Sequence, residues 1–222
     1  FYPRLAALDV AYGLETTPFA VETRPSSDGG LEVEVRAAGR GVEGRGKWTA
    51  DGMTVSSDSA ITLRGKGSID MEVGQRGAWT GRMESFPLCG HDAVFRPIEL
   101  NYECSPLYTG GGDNALVDGR LGSQDFRDGT WQAKQGQDMV ATVDLGFSAT
   151  ITGLETGVYL YQDAWIFQPE SILWEGSLDG THWFPMAKHG PSAVLKRDDR
   201  QIRLKVEGPL NGQPRKARYI RM

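Results

Sequence analysis

Tyr108-Thr-Gly-Gly-Gly-Asp113-Asn-Ala-Leu-Val-Asp118-Gly-Arg-Leu-Gly-Ser123 decides the reading of this 222-residue chain. Three consecutive glycines followed by Asp113 and Asn114 cannot sit inside a regular element, because glycine loses the most backbone entropy there and Asp and Asn compete for backbone hydrogen bonds. The stretch is a loop. Asp118-Gly119, Asp128-Gly129 and Asp179-Gly180 are further turn signals, and the residues between them alternate apolar and polar in runs of strand length. The expected class is all-β: short strands joined by irregular, acid-rich loops.

Composition agrees. With 29 glycines and 11 prolines long helices are not expected, while 39% apolar residues exclude a disordered chain. A formal net charge of −5 argues against a nucleic-acid partner, because phosphate binding needs clustered Lys and Arg. The one basic run, Arg215-Lys216-Ala217-Arg218, reads as a solvated strand edge. No segment approaches the roughly 20 apolar residues that cross a bilayer, and Gly- and Asp-rich loop tips disfavour insertion into an anionic membrane. Cys89 and Cys104 are the only cysteines, too few for a disulfide scaffold or a zinc site; one bridge and two separate thiols both stay open.

Along the chain three pieces separate. In Phe1 to Tyr12 the apolar positions 1, 5 and 8 suit one face of a short helix, which a dozen residues cannot hold alone. From Pro18 to Pro87 the run Leu31-Glu-Val33-Glu-Val35 alternates as a half-buried strand with Leu31, Val33 and Val35 inward. Further strands are expected at Gly46 to Ala50, Ile61 to Leu63 and Ser68 to Val73, which makes a small sandwich. From Leu88 to Met222 strands are expected around Val140 to Leu145, Ile151 to Leu160, Ser171 to Ser177, Ile202 to Val206 and Tyr219 to Met222.

These motifs, in order, resemble a known family. The glycine-rich loop, Asp125-Phe-Arg-Asp128-Gly-Thr-Trp131-Gln132, Asp144-Leu-Gly146, Ser177-Leu-Asp179-Gly-Thr-His-Trp183 and Ala217-Arg-Tyr219-Ile-Arg221 resemble the discoidin, or coagulation factor 5/8 type C, domain. Tyr161-Gln-Asp-Ala-Trp165-Ile-Phe167-Gln-Pro169 is similar to the subgroup attached to bacterial β-N-acetylhexosaminidases of glycoside hydrolase family 20, the chitobiase-like enzymes. Ala133 departs from the glycine usual there. Trp48-Thr-Ala-Asp51-Gly52 resembles a hairpin of the fibronectin-III-like spacer in such enzymes, although Met53-Thr-Val-Ser replaces its usual continuation. Tyr2-Pro-Arg-Leu5 is similar to the segment that closes their catalytic barrel.

The resemblance implies residues 1–17 as the end of a catalytic barrel and linker, 18–87 as an immunoglobulin- or fibronectin-III-like spacer sandwich, and 88–222 as a discoidin-like, galactose-binding-like jelly-roll sandwich lacking its last strand. It further implies an accessory region of a periplasmic, outer-surface or secreted bacterial enzyme. Its partners would be a glycan containing N-acetylhexosamine or galactose and the catalytic domain of the same polypeptide. Catalysis by this chain itself is not expected. Family 20 chemistry uses an adjacent Asp-Glu pair, and the sequence has no such dipeptide. His91, His182 and His189 lack ligand or nucleophile spacing.

Two kinds of site residue remain. A pyranose needs an aromatic face for its C–H side and polar groups for its hydroxyls. Phe126, Trp131, Tyr161 and Trp165 are the aromatic candidates, with Arg127, Gln132, Gln162 and Asp163 as polar partners. Each Trp equally suits packing of the sandwich or bracing of the barrel, so a purely structural role with no sugar stays open. Sugar-binding relatives also hold a structural Ca²⁺ near the glycine-rich loop through backbone carbonyls and an Asp. Asp118 is the first candidate ligand and Asp113 the second, although Asp before Gly is first of all a turn residue.

Overall fold

The structure, a computed structural model, describes residues 19–27, 30–37, 42–50, 53–55, 61–75, 77–127, 129–190, 201–207 and 215–222. The barrel-like segment read at 1–17 lies outside them. The chain is all-β, in several antiparallel sheets. It divides into two compact units, Phe1–Val94 with Asp118–Leu121, and Phe95–Val117 with Gly122–Met222.

The first unit is a sandwich. Strands β1 (Phe19–Pro25), β2 (Leu31–Ala37) and β5 (Ile61–Leu63) form one sheet in the order β1-β2-β5. Strands β3 (Val42–Ala50), β4 (Met53–Val55), β6 (Lys66–Gln75) and β7 (Ala78–Cys89) form the other, ordered β4-β3-β6-β7. The alternation in β2 works as its sequence dictates. Leu31 and Val33 are fully buried, and Val35, nearer the strand end, is half-buried. They join Leu63 from their own sheet and Trp48, Ile69, Met71, Val73 and Leu88 from the facing one. Phe19 closes the gap between the sheets, packing edge-on against Phe86 with ring centroids 6.4 Å apart.

Segment Asp118–Leu121 adds a short edge to β7. Leu88 bridges Arg120, the Cys89 N–H donates to the Gly119 carbonyl at 2.8 Å, and the Leu121 N–H donates to the Pro87 carbonyl at 3.0 Å. Part of the glycine-rich loop is therefore held by strand pairing, which its turn-like composition does not announce.

The second unit has a five-stranded sheet of β8 (Ile98–Leu100), β9 (Ala141–Ile151), β11 (Ile172–Ser177), β12 (Trp183–His189) and β14 (Arg215–Arg221), ordered β12-β11-β14-β9-β8. Strands β10 (Gly153–Tyr159) and β13 (Gln201–Glu207) pair with each other in a second sheet. Ala141, Leu145, Ile151, Ile172, Trp174, Met186 and Ala217 are, among the described residues, its buried apolar side chains on the larger sheet. Strand β9 runs on past Asp144-Leu-Gly146, where the sequence suggests a strand end. A register shift between Ala217 and Tyr219 in β14 accommodates the extra length. The turn from β11 to β12 is organised by side chains. The buried Ser177 hydroxyl accepts the Asp179 and Gly180 N–H groups, and the Asp179 carboxylate accepts those of Thr181 and His182. These N–H donors and the His182 ring hold the Asp179 carboxyl far below the usual carboxylate range.

Across the large sheet, Arg218 grips Asp144 with two hydrogen bonds of 2.8 Å. Its guanidinium first, and the Gly146 N–H after it, lower the Asp144 carboxyl to about 2 from an ordinary 3.8. An Asp with a depressed folded pKa adds stability that is full above its unfolded value and is lost as the pH falls through the folded one. Asp144→Asn is therefore expected to lower the thermal midpoint at pH 7, with the gap from wild type closing as the pH drops from about 4 to about 2. Melting curves of both proteins across that range check this, and a gap independent of pH contradicts it.

Candidate functional site

The loops of the second unit carry the candidate residues, and they divide into two environments. Phe126 sits at the centre of an aromatic cluster, with ring centroids 6.1 Å from Tyr108, 5.9 Å from Tyr159 and 5.8 Å from Tyr161. Trp131 extends it, meeting Tyr159 edge-on at 5.1 Å. Tyr159, at the end of β10, fastens the loop beneath by donating its hydroxyl to the Gln124 carbonyl at 2.6 Å.

Trp131 faces inward. Its indole N–H donates to the Ser123 carbonyl at 3.1 Å, and its ring lies so close over Gly122 that a Cβ there would stand 2.3 Å from Trp131 Cζ2. Any residue with a Cβ at position 122 would displace the Trp131 ring. Gln132 is likewise engaged by the protein. Its amide nitrogen donates to the Gly112 carbonyl at 2.8 Å, and its oxygen accepts from Tyr102, whose buried hydroxyl has its pKa pushed up to about 12 by desolvation. Gly110 fits against the same side chain. Its φ is +63°, and a Cβ would lie 2.7 Å from Gln132 Cγ. Trp131 and Gln132 thus bind the glycine-rich loop to its neighbour.

Trp165 faces outward. The Tyr161 and Ile166 backbones pair in both directions, at 3.0 and 3.1 Å, which closes a short loop over the 3-10 turn Gln162–Ala164. Trp165 follows that turn in the left-handed region, at φ 58°, and its side chain is 83% exposed. A bulky residue in that region is an outlier, where glycine or Asn would normally stand. Phe167, 60% exposed, meets the Trp165 ring edge-on at 6.3 Å and 89°. Gln162 and Asp163 are exposed on the same loop. Phe167, Tyr108 and Tyr159 are absent from the residues singled out by sequence. The i, i+2 spacing of Trp165 and Phe167, which puts two side chains on one side of extended chain, was the available signal for Phe167.

Arg127 completes the rim. Its guanidinium lies 5.4 Å from the Phe126 ring centroid and donates to Asp125 at 3.1 Å, in a largely exposed pair. The eight glycan candidates therefore form two groups joined through Tyr161: Trp131 and Gln132 inward, and Arg127, Gln162, Asp163 and Trp165 outward, with Phe126 and Tyr161 half-buried between them.

The two calcium candidates lie apart in character. Asp113 is exposed at the loop tip, close enough to Cys104 to add to the rise in the thiol's pKa that burial begins. Asp118 is largely buried. Its Oδ1 accepts the Arg120 N–H at 2.8 Å, and its Oδ2 lies 3.5 Å from Arg120 Nε. Burial raises its carboxyl to about 6 against the pull of those two groups. Among the described residues no three His, Cys, Asp or Glu side chains gather in a way that could hold a metal. Cys89 and Cys104 are separate thiols.

No family model and no curated protein matches the chain. Among solved structures it is loosely similar to the C-terminal domain of a chitobiase from Bacteroides fragilis. The identity is 20% and the TM-score 0.33, over 56% of this chain and 78% of that one. A likeness of that size carries neither the fold nor the site, which rest on the geometry above.

The two Trp environments predict opposite mutational behaviour. Trp131→Ala leaves a void over Gly122 and an unmet Ser123 carbonyl, and is expected to cost about 2–3 kcal/mol. Trp165→Gly removes an exposed side chain and relieves the left-handed backbone, while glycine's extra unfolded-state entropy offsets part of that relief, so stability is expected to be unchanged or raised by up to about 1 kcal/mol. Urea denaturation of both variants tests the assignment. Comparable losses would show that Trp165 is a packing residue.

Proposed function

We propose that this chain is a non-catalytic accessory region of a β-N-acetylhexosaminidase, and that its second unit binds glycan through the Trp165 loop. One observation carries the reading: Trp165 is 83% exposed and sits in backbone that disfavours it. Strain of this kind, of order 1–3 kcal/mol, persists where the surroundings enforce it and clusters at functional sites. The edge contact with Phe167 leaves Trp165 mostly exposed, so packing is a weak account of a Trp at that position. A flat apolar ring beside the exposed Gln162 and Asp163 matches the two demands of a pyranose, stacking for its C–H face and hydrogen bonds for its hydroxyls. The partner glycan on this reading contains N-acetylhexosamine or galactose. Tethering of this kind raises the local concentration of substrate without any chemistry in the module itself. The ordered discoidin-like and hexosaminidase-like motifs supply the parent enzyme class, and with it a periplasmic, outer-surface or secreted setting.

A second reading, a brace for the catalytic domain with no sugar contact, is favoured by Trp131 and Gln132, which are committed to the protein's own loops. The two readings divide over Trp165. Titration with N-acetylglucosamine, N-acetylgalactosamine, galactose and chitobiose, followed by Trp fluorescence, is expected to show saturable binding that Trp165→Ala weakens at least tenfold, about 1.4 kcal/mol. No response to any of the four up to about 10 mM, where affinity has become negligible, would leave the brace as the function.

A further inference from the structure

The glycine-rich loop is where the family resemblance implies calcium, and its donors do not fit that ion. A calcium site needs six to eight oxygens, most of them here from backbone carbonyls. Within the second unit several of those carbonyls already serve protein donors. The Thr109 carbonyl takes the Gly112 N–H at 3.0 Å, the Asn114 carbonyl takes the Val117 N–H at 2.9 Å, and the Val117 carbonyl takes the Phe95 N–H at 2.8 Å. The Gly112 carbonyl takes two donors, the Ala115 N–H at 3.1 Å and the Gln132 side-chain amide at 2.8 Å, which uses both of its lone pairs. Within the first unit, the Gly119 carbonyl takes the Cys89 N–H at 2.8 Å. The largely buried Asp118 carboxylate has the Arg120 N–H on one oxygen and the Arg120 guanidinium beside the other.

We propose that Arg120 is the resident cation of this loop: its guanidinium supplies to Asp118 the positive charge that a calcium ion supplies in related domains, and the loop holds its shape without metal. A guanidinium two residues from the carboxylate is always charged and always near it, so it competes with any calcium ion for the same oxygens. It also repels a divalent ion approaching the same oxygens. The proposal concerns the Asp118–Arg120 pair of the first unit and stands apart from the glycan-binding reading of the second. Its main test does not depend on that reading.

The protein is stripped with EDTA and melted with and without about 10 mM CaCl₂, with MgCl₂ as the ionic control. An extracellular-type calcium site, with Kd about 10⁻⁴–10⁻³ M, would raise the midpoint by about 3 °C or more. The expected result is a midpoint equal within about 1 °C to that in MgCl₂. A calcium-specific rise, or saturable binding of calcium by isothermal titration, would overturn the proposal. In a second arm at pH 7.5, Arg120→Ala is expected to lower the midpoint, and Asp118→Asn in the same chain to recover at least half of the loss. A double variant no better than Arg120→Ala would show that Arg120 acts through packing alone and would also overturn it. Should Arg120→Ala fail to fold, the wild-type calcium comparison decides by itself. Unaltered midpoints together with absent sugar binding would uphold the metal-free loop while removing the glycan reading.

Discussion

The contact on which the second unit's loops depend is the Trp131 ring lying over Gly122. There is no space for a Cβ between them, so the chain at 122 must stay bare and the ring must stay flat against it. From that contact the other constraints follow in order. The indole N–H fixes the Ser123 carbonyl, the ring edge meets Tyr159 at the end of β10, and Tyr159 holds the Gln124 carbonyl and the Phe126 ring. Phe126 then supports Tyr161, whose backbone closes the loop that carries Trp165. A half-buried wedge thereby positions an exposed ring far away in sequence. Such preorganisation suits a ligand contact, because little ordering is left to be lost when the ligand arrives.

The same economy of donors governs the glycine-rich loop. The carbonyls of Thr109, Gly112, Asn114, Val117 and Gly119 accept from the loop's own N–H groups, from Gln132 and from neighbouring chain, so an irregular outline is fastened by hydrogen bonds. Irregular loops rich in glycine are often read as loose. Here the glycines permit close approach, and the side chains that exploit it, Gln132 and Trp131, do the fastening.

Much of the fold was legible in the sequence. The Leu31–Val35 alternation placed β2 correctly, and the apolar runs of the second half located β10 and β11 to within two residues, the first half of β9 and the last half of β14. Strand β7 was not legible, because Gly81 and Pro87 interrupt it and its outward side chains include Trp79 and Met83, which hides the alternation. The pairing of Asp118–Leu121 with β7 was not legible either. Turn chemistry at Asp118-Gly119 is a local signal, whereas the edge it completes lies some thirty residues away in sequence. Trp131 and Trp165 looked alike from sequence, each in a loop motif beside Gln or Asp. What separates them is the space over Gly122 in one case and the left-handed backbone in the other, and neither is encoded by residue type alone.

The central claim is that this unit uses Trp131 to hold its loops and presents Trp165 to a ligand. Its most direct measurement is an NMR titration of the indole N–H signals of the chain's six tryptophans with chitobiose and with galactose, assigned by Trp-to-Phe substitution. The account predicts that the Trp165 signal moves progressively to saturation while the Trp131 signal, bonded to the Ser123 carbonyl, stays in place. Movement of Trp131 with Trp165 unaffected, or no movement of either, would contradict it.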